Sequence, residues 1–372
     1  MAQIRILHVV SAMNCAGTEN LIMNIYRKID RNRIQFDFMA DNPEKAFFDD
    51  EIKALGGKIY YVPRFNGLNY FSYKKAWERF FDEHGEYRII HGHIESSAAI
   101  YLKLAKSRGI TTISHSHSTR NELSVKNIIF KAVTFPVRYI ADYGLACSYD
   151  AGISRFGERN VSDKTKFRIL KNGIEINQYI FDPEKRNSVR KELGIENKFV
   201  VGHIGRFSAV KNHSFLIDIF QNIHKKNKDS VLLLVGDGEL RDQIERKVKL
   251  LNLSDKVIFA GVREDVNTLL QAMDCFVFPS FNEGLGIVAI EAEATGLTCF
   301  INETLPEEVA INDNVIRLSL NQSAEEWADS ILSYKYEFNR KEGYKKVAEA
   351  GYDIGEVAKA IGDFYISLYK EN

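Results

Sequence analysis

The stretch Cys275-Phe-Val-Phe278-Pro279-Ser-Phe-Asn-Glu283-Gly-Leu-Gly-Ile-Val-Ala-Ile-Glu291 decides the fold. Four apolar residues make a strand, and Pro279 stops it. Gly284 and Gly286 allow a tight turn and a close ligand approach. The run from Gly286 to Thr295 predicts a helix. A strand that feeds a glycine-rich loop and a helix N-terminus offers unsatisfied N–H groups and a positive dipole end, which suit a phosphate. Glu283 lies in the loop and Glu291 eight residues on. If both were helical, the two carboxylates would stand roughly 80° apart and reach different parts of one elongated ligand. Hydroxyl acceptors beside a phosphate cradle suit a sugar nucleotide. The plainer alternative is that Glu283 caps the helix and Glu291 is solvated.

Strands alternate with helices on either side of this stretch. Phe199–Gly205 reads as a strand, Arg206–Lys211 as its loop, and a helix begins near Asn212. Val231–Val235 follows, closed by Gly236-Asp-Gly238. Lys256–Ala260 leads to Gly261 and a turn from Val262 to Asp265, and Leu297–Ile301 comes after the opening stretch. If these strands are parallel, Arg206 and Lys211 converge on the carboxyl edge that carries Glu283 and Glu291. Two cations there could grip a diphosphate, Arg as a fork and Lys as a point charge. A pair of solvated surface charges is the plain alternative.

The first half has the same rhythm. Ile4–Val10, Phe36–Met39, Lys58–Val62, Arg88–Ile90, Thr111–Ser114 and Gly144–Ser148 predict strands, with helices near 48–55, 72–84, 96–108, 124–140 and 149–157. This alternation implies an α/β fold with a doubly wound parallel sheet. Ligands of such sheets bind at the carboxyl ends of the strands. The candidate loops are therefore 11–19, 91–95 and 115–120, which hold Glu19, His91, His93, His115 and His117. Only one of His115 and His117 is expected to face a ligand, and His117 is expected to turn to the opposite face. A zinc site is not expected, because third and fourth ligands at the usual spacing are missing. The 124–140 segment mixes Ile128, Ile129, Phe130, Val133 and Phe135 with Lys126, Lys131 and Arg138. Packing against its own sheet is favoured over lying on an anionic bilayer, with a bend at Pro136.

At 372 residues the chain can build two domains, each with its own core. Hydrophobic and charged contents of 45% and 27% are those of an ordinary globular protein. The net charge is zero, yet residues 1–175 carry 26 Lys+Arg against 19 Asp+Glu and residues 176–372 carry 24 against 31. The +7 of the first half hints at an anionic partner such as a membrane surface, or at attraction between the halves. Cys15, Cys147, Cys275 and Cys299 are scattered, as in a reduced cytoplasmic protein. The chain enters a strand at once, so no signal peptide is expected, and no apolar run is long enough for a transmembrane helix.

Several features together resemble the retaining glycosyltransferases of family 4, which have the GT-B fold. They are Gly205-Arg206 with Lys211, Val235-Gly-Asp-Gly238, Phe259-Ala-Gly261, and Glu283 to Glu291 as an E-x7-E pair. Asn172-Gly-Ile-Glu175 resembles the family's linker, with Glu in place of Asp, and Ala16-Gly17-Thr-Glu19 its first loop with one glycine lost. His115-Ser-His117 and Ala146-Cys-Ser148 resemble the capsular or exopolysaccharide members.

The resemblance covers essentially the whole chain. It implies two Rossmann-like domains facing a cleft: residues 1–175 on the acceptor side, 176–355 binding the nucleotide sugar, and a 356–372 helix returning to the first. It implies transfer of a hexose from a nucleotide-diphosphate sugar, by family habit a UDP-sugar, to a glycan or lipid-linked acceptor. No metal or other cofactor is expected, because Asp-x-Asp is absent, and no nucleic acid. Donor contacts fall to Gly17, Gly205, Arg206, Lys211, Gly236, Val262, Glu283, Gly284, Leu285, Gly286, Ile287 and Glu291. The catalytic group is His115, Arg206, Lys211 and Glu283; His93, His117 and Glu19 stand on the acceptor side. The expected place is the cytoplasm, peripherally on the inner membrane face. Alternatives are a nucleotide-sugar-binding module without activity, a GT-B-fold sugar-nucleotide epimerase, or an oxidoreductase, which would lack its Gly-x-Gly-x-x-Gly after the first strand of either half.

Overall fold

The structure is a computed structural model that describes residues 3–118, 125–334 and 339–371. The chain divides into two compact units, Met1–Ile174 with Asp353–Asn372, and Glu175–Tyr352.

The first unit holds seven strands: β1 (Ile4–Val10), β2 (Ile34–Ala40), β3 (Ile59–Tyr61), β4 (Ile89–Gly92), β5 (Thr111–Ser116), β6 (Tyr143–Ala146) and β7 (Phe167–Ile169). All pair in parallel, in the order β3-β2-β1-β4-β5-β6-β7. A parallel sheet is covered on both faces, which explains the continuous apolar runs. In β1, Ile4, Ile6 and Val10 enter one core with Leu21, Ile22 and Ile25 of α1 (Gly17–Lys28), while Leu7 and Val9 enter the other with Trp77 and Tyr101. Strand order reverses between β1 and β4, which opens a crevice at their carboxyl ends.

Three features of this unit differ from the sequence reading. β4 runs through His91 and β5 through His115 and Ser116, so these are strand residues and not loop residues. β7 is short and contains Arg168, too little apolar signal to read as a strand. The 124–140 segment forms α2 (Val125–Thr134) and a short helix Val137–Ile140, separated at Phe135-Pro136. Its apolar residues do not all pack on the sheet. Val137 is buried, but Ile128, Ile129, Val133, Phe135 and Tyr139 are exposed, Tyr139 by 70%. Ser124 and the end of the 115–120 loop lie outside the described residues.

The second unit holds β8 (Phe199–Ile204), β9 (Ser230–Val235), β10 (Val257–Phe259), β11 (Cys275–Phe278), β12 (Thr298–Asn302) and β13 (Val315–Leu318). The order is β10-β9-β8-β11-β12-β13, again parallel throughout. Here the switch point falls between β8 and β11. The loop after β8 leads into α3 (His213–Lys226) and the loop after β11 into α4 (Ile287–Ala294). β13 was not anticipated, because Arg317 interrupts its apolar pattern. The last helix, α5 (Ile354–Glu371), belongs to the first unit, where Tyr365 and Leu368 join the core containing α1. Among the described residues no helix is long and apolar enough to cross a membrane.

Candidate active site

The switch point of the second sheet gathers the residues of the opening stretch. Gly286 takes φ +86°, a left-handed conformation that favours glycine, and so turns the chain from the β11 loop into α4. The N-cap residue of α4 is Gly286 itself, which brings no side chain to the helix start. Lys211 Nζ donates to Glu283 Oε1 at 2.6 Å. The Lys211 ammonium also lies 4.7 Å from the Phe278 ring centroid. Both partners are largely buried, with side-chain exposures of 16% and 14%. A cation, a carboxylate and a helix N-terminus therefore share one edge. Arg206 is on the same edge but does not join them. Its guanidinium is exposed and donates to Glu239 Oε2 at 3.2 Å.

Glu291, in the second turn of α4, is half-buried and accepts the Tyr179 hydroxyl at Oε1, 2.9 Å away. Burial pushes its carboxyl up to about 7, and the Tyr179 bond only partly offsets this. Tyr179 was not found from the sequence, because 112 residues separate it from Glu291. Gly236 at φ +129° is required: a Cβ there would come 2.2 Å from the Gly205 carbonyl oxygen, so the two glycine loops touch. Leu285 is buried, Gly284 and Ile287 are half-buried, and Val262 is exposed.

At the switch point of the first sheet stand five histidines. His8 pairs in register with His91 across β1 and β4. His8 Nδ1 lies 3.0 Å from His93 Nε2, and His93 Nδ1 lies 2.8 Å from His117 Nε2. His91 Nε2 lies 3.2 Å from His115 Nδ1, and His91 Nδ1 lies 2.7 Å from the Tyr365 hydroxyl on α5. His115 and His117 are not on opposite faces. Their ring centroids are 4.0 Å apart, because strand side chains repeat every two residues and so place i and i+2 on one face. Burial drives all five imidazoles towards the neutral form, with His8 and His117 down to about 3.

The cluster opens onto a cavity of about 460 Å³ lined by Glu19, Asp41, Arg64, His93, Glu95 and His117. Glu19 sits in the first turn of α1, its carboxyl pushed up by burial. Gly17 is the first residue of α1, and a Cβ there would meet open space. The third metal-ligand candidate that spacing did not supply is therefore present in space: His93, His115 and His117 each place one ring nitrogen within 4.8 Å of the others. His8 went unnoticed because it lies inside an apolar strand.

Residues 185–352 match the family described as glycosyl transferases group 1. The chain is 30% identical to "Putative glycosyltransferase EpsF" of Bacillus subtilis over 100% of its length and 99% of that protein. It is 24% identical to the capsular polysaccharide biosynthesis glycosyltransferase CapH of Staphylococcus aureus, over 98% of the chain and 99% of CapH. Its fold matches the crystal structure of HepE from Anabaena in complex with UDP, with a TM-score of 0.80, 19% identity, and coverage of 98% of this chain and 100% of that one.

Proposed function

We propose a donor and a mechanism for this chain, which belongs to the group 1 glycosyltransferases. It moves a sugar from a UDP-sugar to a hydroxyl of a glycan or lipid-linked acceptor, with retention at the anomeric carbon, in capsule or exopolysaccharide synthesis. The relatives EpsF and CapH support the class, and the UDP held by the Anabaena neighbour supports the base. The observation that carries the mechanism is the Lys211–Glu283 pair beside the start of α4.

The donor diphosphate takes Lys211 and the N–H groups at the start of α4, and Arg206 swings from exposed Glu239 to join them. Glu283, released from Lys211, accepts sugar hydroxyls, and Glu291 accepts the ribose hydroxyls. The bond from the anomeric carbon to the phosphate oxygen breaks, and its electron pair leaves on the diphosphate. The acceptor hydroxyl attacks from the same face, so its proton can pass to the departing oxygen beside it. Fixed cations and backbone dipoles stabilise the developing charge. They take the place of a diphosphate-bound Mg²⁺ or Mn²⁺, so transfer proceeds in a chelator without either ion. His115, buried in the histidine cluster of the first unit, backs the acceptor side. The reading is tested by incubating the protein with radiolabelled nucleotide sugars and an acceptor extract. Label transferred from one UDP-sugar is expected. Nucleotide binding with neither release nor transfer would reduce the protein to a binding module.

A further inference from the structure

We propose that His93, His115 and His117 form a binding site for a divalent transition-metal ion such as Zn²⁺ in the first unit. Each contributes one ring nitrogen, and the three lie within 4.8 Å of one another. A zinc ion with ligands at about 2.0–2.1 Å needs them roughly 3.3 Å apart, so small ring rotations close the site. All-imidazole donors select zinc, copper, nickel or cobalt and not Mg²⁺ or Ca²⁺.

The hydrogen bonds around the cluster argue for a ligand. Two chains run through it, His8–His93–His117 and Tyr365–His91–His115. Among the described residues the far ends of both, His117 Nδ1 and His115 Nε2, are buried ring nitrogens without a partner, as is His8 Nε2 at the near end of the first chain. A buried polar atom left so costs about 1–3 kcal/mol, and a metal bond would satisfy it. The chains also supply the outer support that metal-bound histidines need. His91 holds the other nitrogen of His115, and Tyr365 in turn holds His91. His8 holds Nε2 of His93, which leaves Nδ1 directed at His117. A metal ion would replace that last bond. His93 and His117 line the 460 Å³ cavity, which gives the ion an entry path and room for a water as fourth ligand.

The proposal does not depend on the reading of the sugar donor, and its test uses neither donor nor acceptor. The full chain, stripped with a chelator and dialysed, is titrated with Co²⁺ and then Zn²⁺. One Co²⁺ per chain with the visible absorption of a tetrahedral site is expected, displaced by one Zn²⁺. H117Q and H115Q should each weaken Zn²⁺ at least about 100-fold. H91Q, which removes outer support only, should weaken it about 10-fold, the lower end for such residues. H84A, outside the cluster, should bind as wild type does. If H115Q fails to fold by circular dichroism, half-buried H117Q decides. Absence of stoichiometric binding by the folded wild type, or undiminished binding by H117Q, overturns the site.

Discussion

The Tyr179 hydroxyl donates to Glu291 at 2.9 Å, and Glu291 carries a carboxyl raised to about 7 by burial. Only the ionised carboxylate accepts two hydroxyls at once, so nucleotide affinity should rise as pH passes from 6 to 8. UDP titrates in that region too, so the comparison is with E291Q. Calorimetry across the range should show a pH-dependent component in the wild type that E291Q lacks. Identical profiles would remove Glu291 from the ribose.

The second turn of α4 holds two raised carboxyls. Glu293 is fully buried, and burial pushes its carboxyl up to about 8 although it accepts the N–H groups of Ile311 and Asn312 at 2.9 and 2.7 Å. The ordinary value is 4.5. The folded state therefore keeps its proton between pH 4.5 and 8 while the unfolded chain has lost it, so stability falls as pH rises through that window. Glu291 acts in the same direction up to about 7. E293Q keeps the neutral shape, and its Tm should fall less than that of the wild type between pH 5 and 8. Parallel Tm curves would contradict this.

His115 and His117 share one face and one cluster. H115A should leave nucleotide affinity almost intact and cut transfer by roughly tenfold or more, the lower range for a positioned catalytic group. H117A should also cut transfer, because its ring anchors His93. Product formation on both variants decides, and full activity of H115A would show that transfer does not need His115.

The two parallel sheets were legible because buried strands write continuous apolar runs between turn signals. β7 and β13 were not, since each carries an arginine in a very short strand. The Glu283–Lys211 neighbourhood was legible too, because both loops follow strands that flank a switch point. Tyr179 beneath Glu291 and the His8–His91 pairing across strands were not. They join residues distant in sequence, and no local spacing records such contacts. The opposite-face reading of His115 and His117 failed for a simpler reason, the two-residue repeat of a strand.

The exposed apolar side of α2, with Ile128, Ile129 and Val133, and Phe135 just beyond its end, adjoins Lys131 and Arg138 in the more basic half of the chain. An apolar surface rimmed by cations suits an anionic bilayer. Sedimentation should recover the protein with anionic and not neutral liposomes at low salt, and I128S with I129S should reduce recovery. Equal recovery with both liposomes would argue against attachment.

Whether Lys211 serves the departing diphosphate is read from kcat/KM of K211A with the UDP-sugar whose label is transferred. Loss of one charge-assisted phosphate contact in a shielded site costs on the order of 3 kcal/mol, about a hundredfold in rate. The expected result is that drop, with thermal unfolding still cooperative and no rescue by Mg²⁺ or Mn²⁺. Wild-type turnover by K211A, or full dependence of the wild type on added Mg²⁺ or Mn²⁺, would show that Lys211 does not stabilise the leaving group.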